Sequence, residues 1–349
     1  METAKEQKSV GAAMLAKGKE LLGKAGPVVA LIIMCIILAF ANKNFFTVGN
    51  MLNIARQTSV NGFLALGMMV CILTAGIDLS IGFTMTLSTV LMAKCAVELG
   101  VPPILCLLIC LISGSFLGFI NGILLTKLKL PHPFISTMGT QNIYKGIALV
   151  ITGATPIAGL PLAVNWAGSS FLSANPDTVM GKIPVSFVLM ILVYILFNIF
   201  LRYSVLGRHI YAVGGNLVTA RLSGVNVDFV RTMAYTISGL MAACGGILLA
   251  GRTDSAYPLS GLLLENDAIA AVIIGGTSFF GGKGNVLGTF SGVLLISVLR
   301  NGLNLMSVNA DMQTIVLGLV IILAVFIDVV RNGAFAKPKR MSKEANTAS

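Results

Sequence analysis

The chain has 349 residues, 56% of them hydrophobic and 11% charged, and carries a formal net charge of +11. Soluble domains have roughly 25% charged residues, so this composition excludes a water-soluble globular protein, and the length is that of one membrane domain rather than two soluble ones. The cations lie between apolar segments and near the two ends, not in a basic stripe interleaved with aromatic residues, which argues against a nucleic-acid-binding domain.

Ten apolar segments follow one another along the chain, and a spanning helix needs about 20 mostly apolar residues. They are residues 27–41, 59–76, 81–99, 102–126, 134–153, 185–202, 232–251, 268–280, 287–305 and 312–330. The eighth is short and runs into glycines, so it is predicted to be either a full span or a re-entrant segment. The pattern predicts an all-α integral membrane protein with about ten transmembrane helices. Its parts are an N-terminal segment 1–26, a transmembrane domain 27–330 and a basic tail 331–349.

The distribution of cations predicts the orientation of these segments. With the N-terminus in the cytoplasm, alternation places 17 of the 24 Lys and Arg residues on cytoplasmic segments and four on outside segments. Cytoplasmic loops of membrane proteins carry such an excess of cations, so both termini are predicted to be cytoplasmic. Omitting the eighth segment would move the basic tail outside, which argues for counting it as a crossing.

Two connections between predicted spans are long enough to carry structure of their own. Residues 154–184, predicted outside, contain four prolines and are expected to cap the bundle irregularly. Residues 203–231, predicted in the cytoplasm, have Gly and Asn around a stretch at 218–223 that suits a short helix. A long structured loop in the cytoplasm indicates a surface for a partner protein.

The segment 76–82, between the second and third predicted spans, carries Asp78 and Ser80. An aspartate that faces lipid is costly, so Asp78 is expected to have polar partners. Either side chain can cap the third helix by accepting from the free N–H groups at its start. The residues leave open the alternative of a role in a path through the membrane or in its gating.

Five amide side chains lie inside predicted spans, where each must find a hydrogen-bond partner. They are Asn121, Gln141, Asn142, Asn301 and Asn304. Such residues either hold helices together or line a wet path, and as a group they indicate a polar interior. The predicted spans contain no paired Asp, Glu or His relay, which disfavours a proton-coupled mechanism.

Three charged residues flank the outer ends of two spans. Glu265 and Asp267 lie just before the eighth span, and Arg252 follows the seventh. They are predicted to belong either to a solvated loop or to a docking surface for an external protein.

The sequence offers no signal for a metal or nucleotide site. None of the six cysteines belongs to a CxxC pair, and the two histidines are far apart. The glycine-rich stretch 275–284 fails as a phosphate loop, because Thr277 and Gly284 stand where that pattern needs glycine and Ser or Thr. If ATP drives this protein, another chain is expected to bind it.

Glycine recurs at every fourth position in two segments, at Gly114, Gly118 and Gly122 and at Gly284, Gly288 and Gly292. Residues four apart share a helix face, and glycine lets two backbones approach, so both patterns predict tight helix packing. A weaker similarity joins 76–82 and 265–284, where glycine-rich breaks accompany an acidic residue. Internal repeats of this kind occur in transporters.

Five sets of short motifs follow one another along the chain: NFFT at 44–47 with QTSV at 57–60, TAGIDLSIG at 74–82, LGRHIYAVGGN at 206–216 with ARLSGVN at 220–226, DAIAAVIIGGTSFFGGKG at 267–284 and NGLN at 301–304. In this order they resemble the permeases of bacterial ABC importers for ribose, galactose, xylose and related sugars. The motifs are distributed over most of residues 44–330, and together they are specific to that family.

The resemblance implies a permease subunit that translocates a monosaccharide, a pentose or a hexose, across the bacterial inner membrane. Such permeases pair as dimers, most simply two copies of one chain, and a periplasmic sugar-binding protein docks above them. A separate ATPase subunit binds ATP and Mg, so no cofactor is expected in this chain and nucleic acid is not an expected partner.

The resemblance also implies a coupling motif, a short helix gripped by the ATPase, within loop 203–231. The matching positions are Gly215, Asn216, Ala220, Arg221, Ser223 and Gly224. The family's usual alanine pair is incomplete, since Thr219 precedes Ala220, which we expect to alter the fit slightly without abolishing coupling.

Other functions remain open from the residues. A permease of the same family can import a sugar-derived signal molecule. An ion-coupled secondary transporter would need coupling carboxylates or broken helices at the midplane, and Asp78 is predicted near the cytoplasmic edge. A membrane-embedded enzyme would need a nucleophile–base pair or metal ligands within the membrane, which the sequence does not offer.

Overall fold

The computed structural model describes residues 26–173 and 183–331, which form thirteen helices and one pair of two-residue strands. The elements are α1 (Gly26–Ala41), α2 (Val48–Leu73), α3 (Ile81–Val97), α4 (Pro103–Thr126), α5 (Pro133–Thr152), β1 (Ile157–Ala158), α6 (Leu162–Ser169), α7 (Val185–Tyr203), α8 (Val205–Gly215), α9 (Leu217–Leu222), α10 (Val227–Thr253), β2 (Ser255–Ala256), α11 (Leu264–Ile274), α12 (Val286–Leu305) and α13 (Ala310–Arg331). The predicted N-terminal segment and basic tail, apart from Gly26 and Arg331, lie outside the described residues.

Hydropathy confirms the class of fold. Five helices, α4, α7, α10, α12 and α13, are long and apolar enough to cross a membrane, and α1 and α3 are shorter apolar helices. A helix lies in each of the ten predicted segments, and the two long connections contain α6, α8 and α9. The chain is therefore an all-α membrane protein, with β1 and β2 pairing antiparallel as a small addition.

α2 begins at Val48, well before the predicted start at residue 59. Its first turns carry polar side chains such as Asn50 and Thr58, which lower the local hydropathy although both are buried. Hydropathy measures the cost of exposure to lipid, so it misses a helix segment whose polar groups face other helices.

The bundle is organised around α10, which packs against α2, α3, α4 and α6. On α4, a Cβ atom at Gly118 would collide with the backbone of Tyr235 in α10, and one at Gly114 would collide with Gly239. These contacts confirm that the first glycine series brings two backbones together. In the second series, Gly288 and Gly292 bring α12 against the backbone of α11, and Gly284 lies just before α12.

Short elements distinguish the two ends of the bundle. α8 and α9 lie between the end of α7 and the start of α10, whereas β1 and β2 follow the ends of α5 and α10. α6 lies with the strands, since Gly168 fits against Leu248 and Gly251 in the last turns of α10. We call these the α9 end and the β end.

α3 begins inside the bundle rather than at its edge. After α2 ends at Leu73, residues 74–80 turn inward, and the carboxylate of Asp78 reaches Ser238 near the middle of α10. In the first turn of α3, Gly82 meets the backbone of Gly261, which lies in the loop before α11. Only glycine allows this approach of two backbones.

α11 also begins inside the bundle. It has 11 residues, and at about 1.5 Å per residue it is roughly half as long as the ~30 Å hydrocarbon core. Beyond Ile274 the chain continues without a helix to the α9 end, where Gly281 and Gly282 adopt positive φ angles of 86° and 69°. The eighth predicted segment is therefore a half-helix followed by non-helical, glycine-rich chain. Gly82, at the end of the first glycine-rich break, touches Gly261, which lies just before the second.

Candidate functional site

Asp78 lies at the break before α3 and is only 1% exposed. Its Oδ1 accepts hydrogen bonds from the backbone N–H (3.1 Å) and the hydroxyl (2.7 Å) of Ser80, and its Oδ2 accepts from the hydroxyl of Ser238 (2.8 Å). These donors offset the loss of water around a buried carboxylate. Ser80 occupies the N-cap position of α3 without a side-chain cap bond. The Ser80 side chain therefore does not cap α3, whereas Asp78 accepts from the backbone N–H at the N-cap position.

Asn121 extends this network to α4 and α5. Its amide donates to the Ser80 hydroxyl (2.7 Å), and its Oδ1 lies 3.3 Å from the hydroxyl of Tyr144, which also lies 2.9 Å from the carbonyl oxygen of Leu117. Asn121 and Tyr144 are both buried. The predicted residues Asp78, Ser80 and Asn121 thus form one buried network that ties the break to three neighbouring helices.

A polar cavity of about 260 Å³ lies toward the β end, between α2, α10, α12 and the start of α11. Seven of the eleven residues that line it have polar or charged side chains, namely Gln57, Asn61, Arg252, Ser260, Asp267, Arg300 and Asn304. Groups that converge in this way fix the orientation of a polar solute.

Asp267 and Arg300 form the charged wall of the polar cavity. The Nη2 of Arg300 lies 2.7 Å from Oδ1 of Asp267, and Nε bonds to Oδ2, so the pair is bidentate. The Asp267 side chain is 1% exposed, whereas that of Arg300 is 27% exposed. The arginine therefore presents its edge to the cavity, while the carboxylate behind it neutralises the charge.

A second cavity of about 270 Å³ adjoins the first, because Leu249 and Ser260 line both. It passes between Met85 of α3 and Gly246 of α10 and reaches Tyr257, just after β2. Both cavities lie in the β-end half of the bundle, next to Gly261 in the loop before α11.

Glu265 lies in the first turn of α11 and is 6% exposed. Its Oε1 accepts from the amide of Gln141 (3.1 Å). Its Oε2 faces Gly82 and has no hydrogen-bond partner among the described residues. Glu265 and Asp267 are both buried, so the structure does not support the predicted docking role for either side chain. Arg252 differs, since it is exposed at the β end and also lines the polar cavity.

The remaining predicted amides have different environments. Asn301 and Asn50 exchange two hydrogen bonds (2.8 and 2.9 Å) between α12 and α2, and both are buried. Asn304 lines the polar cavity and accepts from the amide of Gln313 (2.8 Å). Asn142 is exposed on α5 and lines neither cavity. Asn301 thus joins helices, and Asn304 is the amide that reaches the cavity.

Four cavity residues were not singled out from the sequence: Gln57, Asn61, Ser260 and Arg300. Gln57 and Asn61 are four residues apart and therefore share one face of α2, which is a usable signal. Arg300 lies within a predicted span, and a cation there needs a buried partner. Ser260 has no comparable signal, because only the fold of the loop before α11 brings it inside.

At the other end of the bundle, α9 is held firmly at both of its ends. The Oδ1 of Asn216 accepts from the backbone N–H of Thr219 (2.9 Å), which caps the start of the helix. Arg221 lies 3.6 Å from Asp228 in the first turn of α10. Ala220 is 5% exposed and anchors the helix to the bundle. The short helix predicted at 218–223 is confirmed at Leu217–Leu222.

α9 presents an apolar surface to the outside. Val218 is 66% and Leu222 is 84% exposed. After Ser223 at the C-cap, Gly224 has a φ of 82° and lies in open space. An exposed apolar patch with a defined backbone is typical of a docking site for another protein.

α8 connects α9 to the broken segments. Gly214 packs against the carbonyl oxygen of Leu73 and the backbone nitrogen of Gly282. The hydroxyl of Tyr211 donates to the carbonyl oxygen of Gly284 (3.0 Å). Next to Gly214, Gly215 faces open space. α8 therefore lies beside the point where the end of α2, at Leu73, meets the chain that follows α11, at Gly282.

Residues 50–325 match a family model described as the branched-chain amino acid transport system permease component. The match covers most of the chain and includes the broken segments, the polar cavity and α9.

Relatives with described functions are similar over nearly their whole length. The chain is 42% identical over 308 residues to the ribose import permease protein of Bacillus subtilis, covering 88% of this chain and 93% of that one. It is 39% identical over 298 residues to the D-allose transport system permease protein of Escherichia coli, covering 85% and 88%. It is 35% identical over 321 residues to the galactose/methyl galactoside import permease protein of Escherichia coli, covering 88% and 94%. No solved structure matches the chain.

Proposed function

Because the chain belongs to this family of permease components of ABC import systems, we propose that it is the membrane-spanning subunit of an importer that carries a monosaccharide, a pentose or a hexose, into a bacterial cell. Its relatives named above carry ribose, D-allose and galactose or methyl galactoside.

One observation carries the mechanism: α8 contacts both interrupted segments at Leu73 and Gly282. A push on α9 passes through α8 to the chain on either side of the breaks, because short, capped helices move as rigid bodies. The same interrupted chain leads to Ser260 and Asp267, which line the polar cavity. Movement at one end thereby changes the access of a solute at the other.

The chemistry of the polar cavity supports a sugar as the solute. Amide and hydroxyl groups hydrogen-bond to sugar hydroxyls, and the Asp267–Arg300 pair adds donors without a free charge. A few neutral contacts of this kind hold a sugar weakly enough for release, so high-affinity recognition belongs to a separate binding protein.

The orientation follows from the cation distribution, with about ten spans and both termini in the cytoplasm. The α9 end then faces the cytoplasm, and a separate ATPase subunit that holds ATP and Mg docks on Val218 and Leu222. The β end faces the periplasm, where the sugar-binding protein docks near Arg252 and α6. The complex contains two permeases, most simply two copies of this chain in the inner membrane.

The test is to tag the C-terminus, extract the complex in mild detergent and identify its partners by mass spectrometry. We expect near-stoichiometric ATPase, and then ATP-dependent sugar uptake by proteoliposomes that contain the complex and its binding protein. Uptake by this chain alone, driven by an ion gradient without ATP, would instead show a secondary transporter. Retention of a sugar-derived signal molecule by the companion binding protein would change the substrate and leave the importer mechanism intact.

A further inference from the structure

A third cavity, of about 550 Å³, lies at the α9 end and is separate from the polar cavity. It is bounded by the end of α7, by α8 and by the start of α12, and its polar lining consists of Asn198, Arg202, Arg208, Tyr211 and Asn285. The volume falls within the roughly 300–1,000 Å³ typical of ligand sites. We call it the arginine cavity.

The arginine cavity is electrostatically positive. Neither Arg202 nor Arg208 forms an ion pair within the part of the chain that the structure describes. Arg208 donates through Nη1 to the carbonyl oxygen of Tyr203 (3.0 Å), which steadies the guanidinium and leaves its other N–H groups available. The 20-residue helix α12 begins at Val286 on the cavity wall, and its N-terminus adds a partial positive charge.

The hydroxyl of Tyr211 is engaged with the carbonyl oxygen of Gly284, so it contributes no negative charge. The other polar lining groups, Asn198 and Asn285, are neutral amides. The cavity walls therefore carry two cations and no anion, an arrangement that favours an anionic ligand with several acceptor oxygens.

One side of the arginine cavity opens onto an apolar surface. Ile195, Leu196 and Ile199 on α7 are 54%, 56% and 49% exposed, one to two turns before Arg202. On the α12 side, Leu287 is 72% exposed at the rim. Apolar side chains of this kind on a spanning helix contact acyl chains, so the cavity lies where that contact ends and the headgroup layer begins.

We propose that the arginine cavity binds the phosphate group of an anionic phospholipid, with the acyl chains lying along α7. The two guanidinium groups chelate the phosphodiester oxygens, and Asn198 and Asn285 contact the polar headgroup. Basic pockets between transmembrane helices on the cytoplasmic side bind phospholipid headgroups in this manner. The assignment to the cytoplasmic leaflet rests on the orientation given under Proposed function. Free phosphate has the same anionic chemistry and is the competing occupant.

The experiment is native mass spectrometry of the purified full-length chain, titrated with phosphatidylglycerol or with phosphatidylcholine. Each cation is expected to strengthen binding about five-fold, so the variant Arg202→Gln/Arg208→Gln should bind phosphatidylglycerol roughly twenty-five-fold more weakly. The matched control Lys127→Gln/Lys129→Gln removes two exposed cations at the same end of the bundle and should bind like the unmodified chain. Arg202→Lys/Arg208→Lys keeps both charges without the planar fork and should lie in between.

Three outcomes would overturn the proposal. Phosphatidylcholine carries the same phosphate but balances it with a choline cation, so its equal binding would show that the net charge of the lipid plays no part. Equal losses in the Arg202→Gln/Arg208→Gln variant and the Lys127→Gln/Lys129→Gln control would indicate a diffuse basic surface. Displacement of the lipid by millimolar inorganic phosphate would assign the site to the free anion. Thermal unfolding in neutral detergent separates a folding defect from lost binding. Because sugar uptake is not measured, failure of the proposed function would leave this result unaffected.

Discussion

The backbone N–H of Gly282 donates a hydrogen bond to the carbonyl oxygen of Leu73 over 3.0 Å. Leu73 ends α2 just before one break, and Gly282 lies in the chain that follows α11, so this bond joins the two interrupted segments. Gly214 of α8 lies against the same pair of residues. A displacement of α8 therefore acts on both interrupted segments together.

Gly214→Val should abolish ATP-driven uptake while the ATPase still co-purifies. A side chain at residue 214 would collide with the carbonyl oxygen of Leu73 and the nitrogen of Gly282, which pushes α8 off the interrupted segments. The measurement is sugar uptake by proteoliposomes together with the ratio of ATPase to permease after purification.

Gly215→Ala is the matched control for Gly214→Val. Residue 215 has open space where a methyl group would lie, so uptake should stay close to that of the unmodified chain. Normal uptake by the Gly214→Val variant would show that the α8 contact is not needed for coupling.

Gly224→Trp should block uptake while the chain still inserts into the membrane. The space beside Gly224 is empty within this chain, so an indole there obstructs a docked partner rather than the fold. Co-purification of the ATPase should fall in parallel with uptake.

Gly224→Ala separates the effect of side-chain bulk from that of backbone strain. The φ of 82° at residue 224 is unfavourable for any residue other than glycine, by about 1–2 kcal/mol. The alanine variant shares that strain without the bulk and should retain most of the uptake. If both variants lose uptake equally, the conformation of Gly224 rather than a docking surface is responsible.

Asp267→Ala should lower both stability and uptake. Arg300 would keep its charge on the wall of the polar cavity without its bidentate partner. Because the Arg300 side chain is 27% exposed, the loss of stability should be smaller than the roughly 3–5 kcal/mol found when a fully buried pair is broken. Thermal unfolding in detergent and uptake at several sugar concentrations provide the two readouts.

Asp267→Asn/Arg300→Gln removes both charges of the same pair and tests its role in transport. This double variant should regain most of the stability lost in Asp267→Ala, since no uncompensated charge remains. Its uptake should stay low, because the guanidinium group on the cavity wall is missing. Full recovery of uptake would show that the Asp267–Arg300 pair has only a structural role.

Asn301→Leu should destabilise the chain by about 1–3 kcal/mol, because it leaves the buried amide of Asn50 without its reciprocal partner. Asn50→Leu/Asn301→Leu should recover most of that loss, because both amides of the pair are replaced, while the carbonyl oxygen of Phe45 still loses its hydrogen bond from Asn50. Uptake should be normal in this double variant, since neither residue lines any of the three cavities described above. Low uptake by a stable double variant would indicate that Asn301 contributes to the transport path.

Particular residues show where sequence reasoning succeeded and where it failed. α9 and the close contacts of Gly114 and Gly118 were predictable because capping and helix-face spacing are local properties. The burial of Glu265 and Asp267 was missed because a carboxylate beside a predicted span is expected to be exposed unless the path of the preceding loop is known. The loop before α11 turns into the bundle at Gly261 and brings both carboxylates inside.

The sequence by itself determined the membrane class, the apolar helices, the family and the short helix α9, because hydropathy, capping residues and short motifs each act over a few residues. Only the tertiary structure decided which polar groups meet. Asn50 pairs with Asn301 across 251 residues, and Asp78 meets Ser238 across 160. A buried polar side chain requires a partner somewhere in the bundle, but its identity depends on which helix faces pack together. The same packing turned α3 and α11 into helices that start at the centre, and it enclosed the polar cavity between the start of α11, the loop before it and helices α2, α10 and α12.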